Sequence, residues 1–194
     1  TCSPGVPLTM NPTTIPDDLQ DCIDFHGHLC PGLVIGYCAA HLGMSELCAS
    51  RSGDEELIAI VENDSCAVDA VQVLSGCTFG KGNLFYRDHG KMVFTFATRN
   101  DGRSVRLCLR PDSRPEQDQD VPEEQHRRRR VEFMLQARDE DLFDVRRNVL
   151  DELPSAARIH DSMACEECGE MVMATRIREQ SGRELCIPCA EQGV

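Results

Sequence analysis

Tryptophan is absent from this chain of 194 residues, and lysine occurs only at Lys81 and Lys91. Aromatic residues make up 5% of the chain, too few to build the stacking platforms that bind bases. The formal net charge is −13 and is spread along the chain, so no segment has a basic excess. An acidic chain without a basic stripe lacks the electrostatic footprint of a nucleic-acid binder, which argues against nucleic acid as a partner. No apolar run reaches the ~20 residues of a membrane-spanning helix, and no membrane contact is expected. The N-terminal residues also lack the basic-then-apolar order of an export signal, so the expected location is cytoplasmic.

Cysteine, by contrast, is abundant, with twelve in the chain. In an oxidising compartment that number would suggest disulfides. Without an export signal, and with the spacings described below, metal-binding or catalytic thiols are the better reading.

The densest chemistry lies in Asp24-Phe25-His26-Gly27-His28-Leu29-Cys30-Pro31-Gly32. His26, His28 and Cys30 alternate, so an extended segment would direct all three side chains to one face. Imidazole nitrogen and thiolate sulfur are preferred ligands of zinc and other transition metals. Pro31 suits the first position of a helix, which would place the cluster at a helix N-terminus, where partial positive charge favours thiolate. A structural reading also stands, in which the cysteine is core and a histidine caps a turn.

Before this cluster, Thr14-Ile15-Pro16-Asp17-Asp18 reads as a helix start, with Leu19, Cys22 and Ile23 as its apolar stripe. After it, Leu33, Tyr37, Ala40 and Met44 continue a second helix, in which Gly32 and Gly36 allow close approach. Cys38 and Cys48 read as packing residues, and His41 as a surface residue. Residues 56–62 read as a buried strand that leads through Asn63-Asp64-Ser65 to Cys66 at the start of another helix. A strand delivering a cysteine to a helix N-terminus can expose an activated thiolate; the alternative is that Ser65 caps and Cys66 merely packs. Asp69 and Gln72 neighbour each other on that helix. The loop Ser75–Asn83 brings Cys77, Lys81 and three glycines, whose backbone N–H groups could cradle an anion.

Strands follow between Leu84 and Arg110, with Asn100-Asp101-Gly102 as a hairpin signal. Residues 111–122 read as a polar, exposed linker and 123–137 as a helix whose Arg127–Arg130 run faces solvent. Residues 139–153 fit either a helix or a strand. These elements define an α+β class, with helices packed on a mixed or antiparallel sheet, over residues 1–158. A small C-terminal zinc-ribbon domain occupies 159–194. In that domain Cys165, Cys168, Cys186 and Cys189 form two CxxC pairs separated by 17 residues, a spacing suited to tetrahedral zinc. All four positions are filled by protein, so this zinc is structural, and a domain this small needs it to fold. Met171–Arg178 and the Ser181-Gly182 turn supply a short hairpin between the pairs.

Three motifs in this order resemble the FmdE family, which takes its name from formylmethanofuran dehydrogenase. They are His26-Gly27-His28-Leu29-Cys30-Pro31-Gly32, Cys66–Gln72 running into Gly76–Asn83, and the four-cysteine ribbon, which itself resembles the DksA/TraR zinc fingers. The resemblance implies an α+β core, often an intertwined homodimer, followed by a zinc-binding domain. It also implies association with a molybdenum- or tungsten-dependent oxidoreductase that reduces carbon dioxide onto methanofuran. Positions matching the family's motifs are His26, His28, Cys30, Cys66, Asp69, Gln72, Cys77 and Lys81. The Arg-rich stretch 112–130 and the Tyr37-Cys38 pair after Gly36, where a basic residue is expected, depart from the pattern.

Three functions compete at this point. The first is an enzyme or an accessory component of one. In it, His26, His28, Cys30 and Cys66 serve as ligands of a second transition metal, or Cys66 and His28 act catalytically with Asp69 as orienting base. Gln72, Cys77 and Lys81 then hold a cofactor or anionic group. The second is a metal carrier or sensor using the same ligands, and the third is a zinc-ribbon regulator. An open coordination position beside a pocket would favour catalysis, and a closed shell would favour carriage.

Overall fold

In the computed structural model, helix α1 (Asp17–His26) begins after Pro16. Pro16 holds the N-cap position in an extended conformation, and Asp17 and Asp18 complement the dipole of the first turn. The structure describes residues 15–113 and 121–192; Thr14, read as the capping hydroxyl, and most of the 111–122 linker lie outside them. Gly27 ends α1 at φ 96°, a left-handed conformation that a side chain would strain, and its N–H reaches the Ile23 carbonyl at 2.7 Å.

Helix α2 (Pro31–Leu47) is capped by Cys30, whose Sγ accepts the Leu33 N–H at 3.4 Å. It is the central helix of the core, with every residue from Leu33 to Ala40 buried. Asp18 fixes α1 against it, since one carboxylate oxygen accepts the Tyr37 hydroxyl at 3.0 Å and the other lies 2.8 Å from His41 Nε2. His41 is therefore not the unpartnered surface residue its helical position suggests. Burial first, and then the Asp18 carboxylate, push the Tyr37 hydroxyl well above its ordinary pKa, so it remains a donor.

Strand β1 (Leu57–Val61), helix α3 (Ala67–Ser75) and strand β2 (Leu84–Tyr86) form a parallel unit, with Ala59 opposite Leu84. Strands β3 (Val93–Thr98) and β4 (Ser104–Leu109) make a hairpin around Asn100–Gly102. Helix α4 (Glu123–Gln136) precedes a single-turn helix α5 (Asp139–Leu142) and strand β5 (Phe143–Arg147), so the ambiguous 139–153 stretch contains both element types. The sheet order is β2-β1-β3-β4-β5, and only the β1–β2 pair is parallel. The fold is α+β, with a mixed sheet.

Period-2 alternation sorts the two faces of this sheet. Leu57, Ala59 and Val61 join Phe94, Phe96, Val105 and Leu107 in the main core with α2. Ile58, Ile60 and Ala97 face the other way and are covered by Leu150 and Leu153. Each fully buried Val, Leu, Ile or Phe side chain here contributes about 1.5–3 kcal/mol relative to exposure. Two glycines make the helix packing close. A Cβ on Gly36 would lie 2.0 Å from the Ala67 carbonyl oxygen, and one on Gly43 would lie 2.2 Å from the Phe96 ring.

Two expectations are revised, those for Cys48 and Ser113, while the exposed Arg127 and Arg128 and the packed Cys22 and Cys38 are as expected. Cys48, read as packing, is exposed at the α2 C-cap and disulfide-bonded. Ser113, within the expected exposed linker, is buried and donates its hydroxyl to the Arg110 carbonyl at 2.6 Å. Arg127 and Arg128 lie on an exposed face, paired with Glu123 and Glu132. Cys22 and Cys38 are core residues, with thiols pushed by burial to about 11 and about 12.

The chain divides into two compact units, the first ending at Ala156 and the second beginning at Ala157. The second contains two short antiparallel ladders. Strands β6 (Ser162–Ala164) and β7 (Met171–Met173) flank the first cysteine pair. Strands β8 (Ile177–Gln180) and β9 (Arg183–Cys186) turn through Ser181 and Gly182, at φ 55° and 77°. Met171 thus pairs backward with Ala164 instead of starting the expected hairpin with the residues after it. Helix α6 (Ile187–Gln192) carries the last cysteine.

Candidate metal centres

Gly27 is what gathers the core cluster. His26 is the last residue of α1; the left-handed turn at Gly27 then reverses the chain, and Cys30 opens α2. One ligand atom from each of His26, His28 and Cys30 lies within 4.8 Å of the others. The three meet around a turn, not along the extended face expected from their alternation. The imidazole rings are 4.7 Å apart, and His26 Nε2 lies 3.8 Å from Cys30 Sγ.

His26 Nδ1 is 2.7 Å from Asp69 Oδ2. With that proton held by the carboxylate, the Nε2 lone pair is free to face Cys30, the arrangement that prepares a histidine for metal. The His26 side chain is only 12% exposed, which shields its end of this hydrogen bond from water, while Asp69 keeps 34% exposure. Two imidazoles and a thiolate at this separation suit zinc or another thiophilic transition metal, whose bonds to them are about 2.0–2.3 Å.

Cys66 stands beside this set without belonging to it. A Cβ built on Gly32 would lie 3.7 Å from Cys66 Sγ and 3.9 Å from Cys30 Sγ, so both sulfurs border the same glycine. Gly36 makes the approach possible by letting α2 rest on the backbone of Ala67, directly after Cys66. Cys66 has helical dihedrals and makes no capping bond, while Ser65 Oγ accepts the Ala67 N–H at 3.4 Å. Burial, then hydrogen bonding to the Cys30 thiol, push the Cys66 thiol up. The thiolate activation expected from its helix N-terminus is thereby outweighed.

Cys77 and Lys81 do not reach this site. They follow the C-terminal end of α3, whereas Cys66 precedes its start. Cys77 is fully buried, donates its thiol to the Leu57 carbonyl at 3.3 Å, and is pushed by burial to about 11. Lys81 Nζ donates to the carbonyls of Ser52 (3.0 Å) and Gly53 (3.4 Å) and so braces a loop. The anion cradle expected of residues 75–83 is replaced by internal bonds, including Asn83 to Asp54 and Leu57. Gln72 is half-buried one turn beyond Asp69. A groove on α1, α2 and α3 is lined by Asp18, Phe25, His41, Met44, Arg51 and Leu74, and contains none of the three donors.

Asp18 reads in the sequence only as a helix-start acid, yet it holds α1 on α2 and so positions His26 relative to Cys30. A capping acid and a tertiary acceptor look alike in sequence. Glu62 is equally inconspicuous at the end of its strand: its buried carboxylate meets Arg106 at 3.2 Å and His89 at 3.1 Å. Burial pushes that carboxyl up, but the His89 and Arg106 partners hold it below its ordinary value.

In the second unit, one sulfur from each of Cys165, Cys168, Cys186 and Cys189 lies within 4.8 Å of the others. Cys168 and Cys186 are 3.9 Å apart, close to the ~3.8 Å edge of a tetrahedron with 2.3 Å zinc–sulfur bonds. Gly169, at φ 75°, turns the first knuckle, and its N–H bonds the Cys165 carbonyl. Backbone N–H groups of Cys168 and Cys186 hold the Cys165 thiol down at about 6. The neighbouring Cys186 sulfur and burial push Cys189 up to about 12. As thiolates, four sulfurs this close would repel one another, and a cation among them would remove that repulsion.

An α+β core followed by a four-cysteine ribbon defines a metal-binding protein with a zinc-finger domain. Residues 25–153 match the family model described as FmdE, molybdenum formylmethanofuran dehydrogenase operon. The chain belongs to that family. Residues 159–192 match the prokaryotic dksA/traR C4-type zinc finger. A probable S-adenosyl-L-methionine-binding protein of Archaeoglobus fulgidus is 32% identical over 191 residues, covering 86% of this chain. The chain spans about half the length of that curated relative, 50%. The crystal structure of a tungsten formylmethanofuran dehydrogenase FmdE-like protein from Syntrophus aciditrophicus shares the fold. Its TM-score is 0.67 at 23% identity, over 98% of this chain and 97% of that one.

Proposed function

We propose that this chain is a metal-holding accessory protein, in which His26, His28 and Cys30 bind a thiophilic divalent metal and Asp69 orients His26. The carrying observation is the His26–Asp69 hydrogen bond of 2.7 Å, which leaves Nε2 aimed at Cys30. In this reading the ribbon cysteines bind a second, structural zinc, and the protein works as a homodimer. It is an accessory component of a molybdenum- or tungsten-dependent one-carbon oxidoreductase and does not carry out the oxidoreduction itself. Family membership supports the link to such an enzyme. Exposure of His28 supports metal exchange with a partner.

The test is metal analysis of the purified full chain and of its Cys30→Ser variant. Two metal equivalents per chain are expected in the first and one in the second. A single equivalent in both would confine metal to the ribbon and overturn the proposal.

A further inference from the structure

Five described cysteines that pack around α1, α2 and α3 fall into two kinds of environment. Cys22, Cys38 and Cys77 are buried and packed, and burial keeps their thiols protonated. Cys30 and Cys66 are half-buried, at the starts of α2 and α3, and their sulfurs both border Gly32. Only Cys30 belongs to the three-donor set.

We infer that Cys30 and Cys66 form an oxidisable pair, with Cys66 the resolving thiol and not a metal ligand, so that closing a disulfide removes Cys30 from the metal. The inference rests on the three-donor reading above. The two sulfurs are unequal. Cys30 receives the Leu33 N–H and heads a helix of 17 residues, while Cys66 receives no capping N–H. Cys30 is also the sulfur of the three-donor set, so oxidation that begins at Cys30 is the event that acts on the metal.

The oxidant class is a hydroperoxide. The Cys30 thiolate attacks the terminal peroxide oxygen, the O–O bond breaks, and the leaving oxygen departs as alcohol or water, giving a sulfenic acid at Cys30. The Cys66 sulfur then attacks the Cys30 sulfur, an S–S bond forms, the S–O bond breaks, and hydroxide leaves as water with the Cys66 proton. Two electrons pass from the two sulfurs to the peroxide, and two thiols plus one hydroperoxide give a disulfide, an alcohol and water. A dithiol reductant reverses the closure and restores Cys30 to the metal.

The experiment treats the zinc-loaded full chain with hydrogen peroxide, alkylates the remaining thiols, maps the peptides by mass spectrometry and counts released zinc. A Cys30–Cys66 cross-link is expected, with loss of one of two zinc equivalents and recovery of both after dithiothreitol. Reduced Cys66→Ser, and Cys66→Ala as a second replacement, should keep two zincs. After peroxide they should accumulate Cys30 sulfinic acid, which dithiothreitol does not reverse. Reduced Cys66 variants that fold yet hold one zinc would make Cys66 a ligand and overturn the inference. So would a wild-type chain whose Cys30 and Cys66 remain alkylatable while the ribbon oxidises. A cross-link in a chain that never held a second zinc would sink the three-donor reading and leave the oxidisable pair standing.

Discussion

His26 Nδ1 and Asp69 Oδ2 meet at 2.7 Å across 43 positions of chain, joining the last residue of α1 to the first turn of α3. Removing the carboxylate should leave the fold intact and loosen the core metal. For Asp69→Ala we expect about 10–100-fold weaker core metal binding, typical of a lost outer partner of a ligand histidine. Chelator competition on the purified chain measures it. Unchanged affinity would mean that Asp69 does not orient a ligand.

Gly36 and Gly43 lie on the same helix but meet different neighbours. Gly36→Ala drives a methyl into the Ala67 carbonyl, so α2 and α3 must separate. It should cost at least the ~1–3 kcal/mol of ordinary overpacking and also keep Cys30 from cross-linking to Cys66. Gly43→Ala presses on the Phe96 ring and should lower stability while sparing the metal. Urea unfolding together with metal counting separates the two.

Chelation of the ribbon should unfold residues 157–194 and leave the core folded. Structural zinc supplies on the order of 10 kcal/mol in domains of this type, more than the small cluster of Cys165, Leu185 and Cys186 provides. Limited proteolysis with and without chelator reads this directly. Protection of the ribbon after its zinc is removed would contradict it.

Glu62 gives a pH dependence of known sign. Its folded pKa is depressed below the ordinary 4.5, so its stabilising contribution is complete above 4.5 and fades as pH falls through the lower folded value. Glu62→Gln should therefore be less stable than the parent at neutral pH, with the gap narrowing in acid. Thermal melts from about pH 3 to about pH 7 test it. A gap that stays constant across this range would remove the ion-pair explanation.

The ribbon was legible because its four cysteines carry their geometry in their spacing. The core donors were legible as residue types, but the reason they converge was not. Alternation suggests an extended strand, while Gly27 turns the chain at the end of a helix instead. Asp69 was readable as a partner for an imidazole because it lies one turn beyond Cys66. Cys77 and Lys81 were misplaced because their true partners, the carbonyls of Leu57, Ser52 and Gly53, are backbone groups that any sequence supplies. Long-range pairing with main chain leaves no mark in side-chain identity.

The segment after β5 has a consequence for the order in which this chain matures on the ribosome. Leu150 and Leu153 cover Ile58, Ile60 and Ala97, and Arg99 fastens the same stretch through the Pro154 carbonyl at 2.7 Å. During vectorial synthesis β1 and β3 emerge first, with that apolar face bare. At ~5–20 residues per second, more than fifty positions, β4 and β5 among them, must follow Ala97 before Leu150 and Leu153 arrive. Nascent chains stalled before Leu150 present an adhesive surface to chaperones or to each other, and a chain released there would be prone to aggregate although all five strands of its sheet are complete.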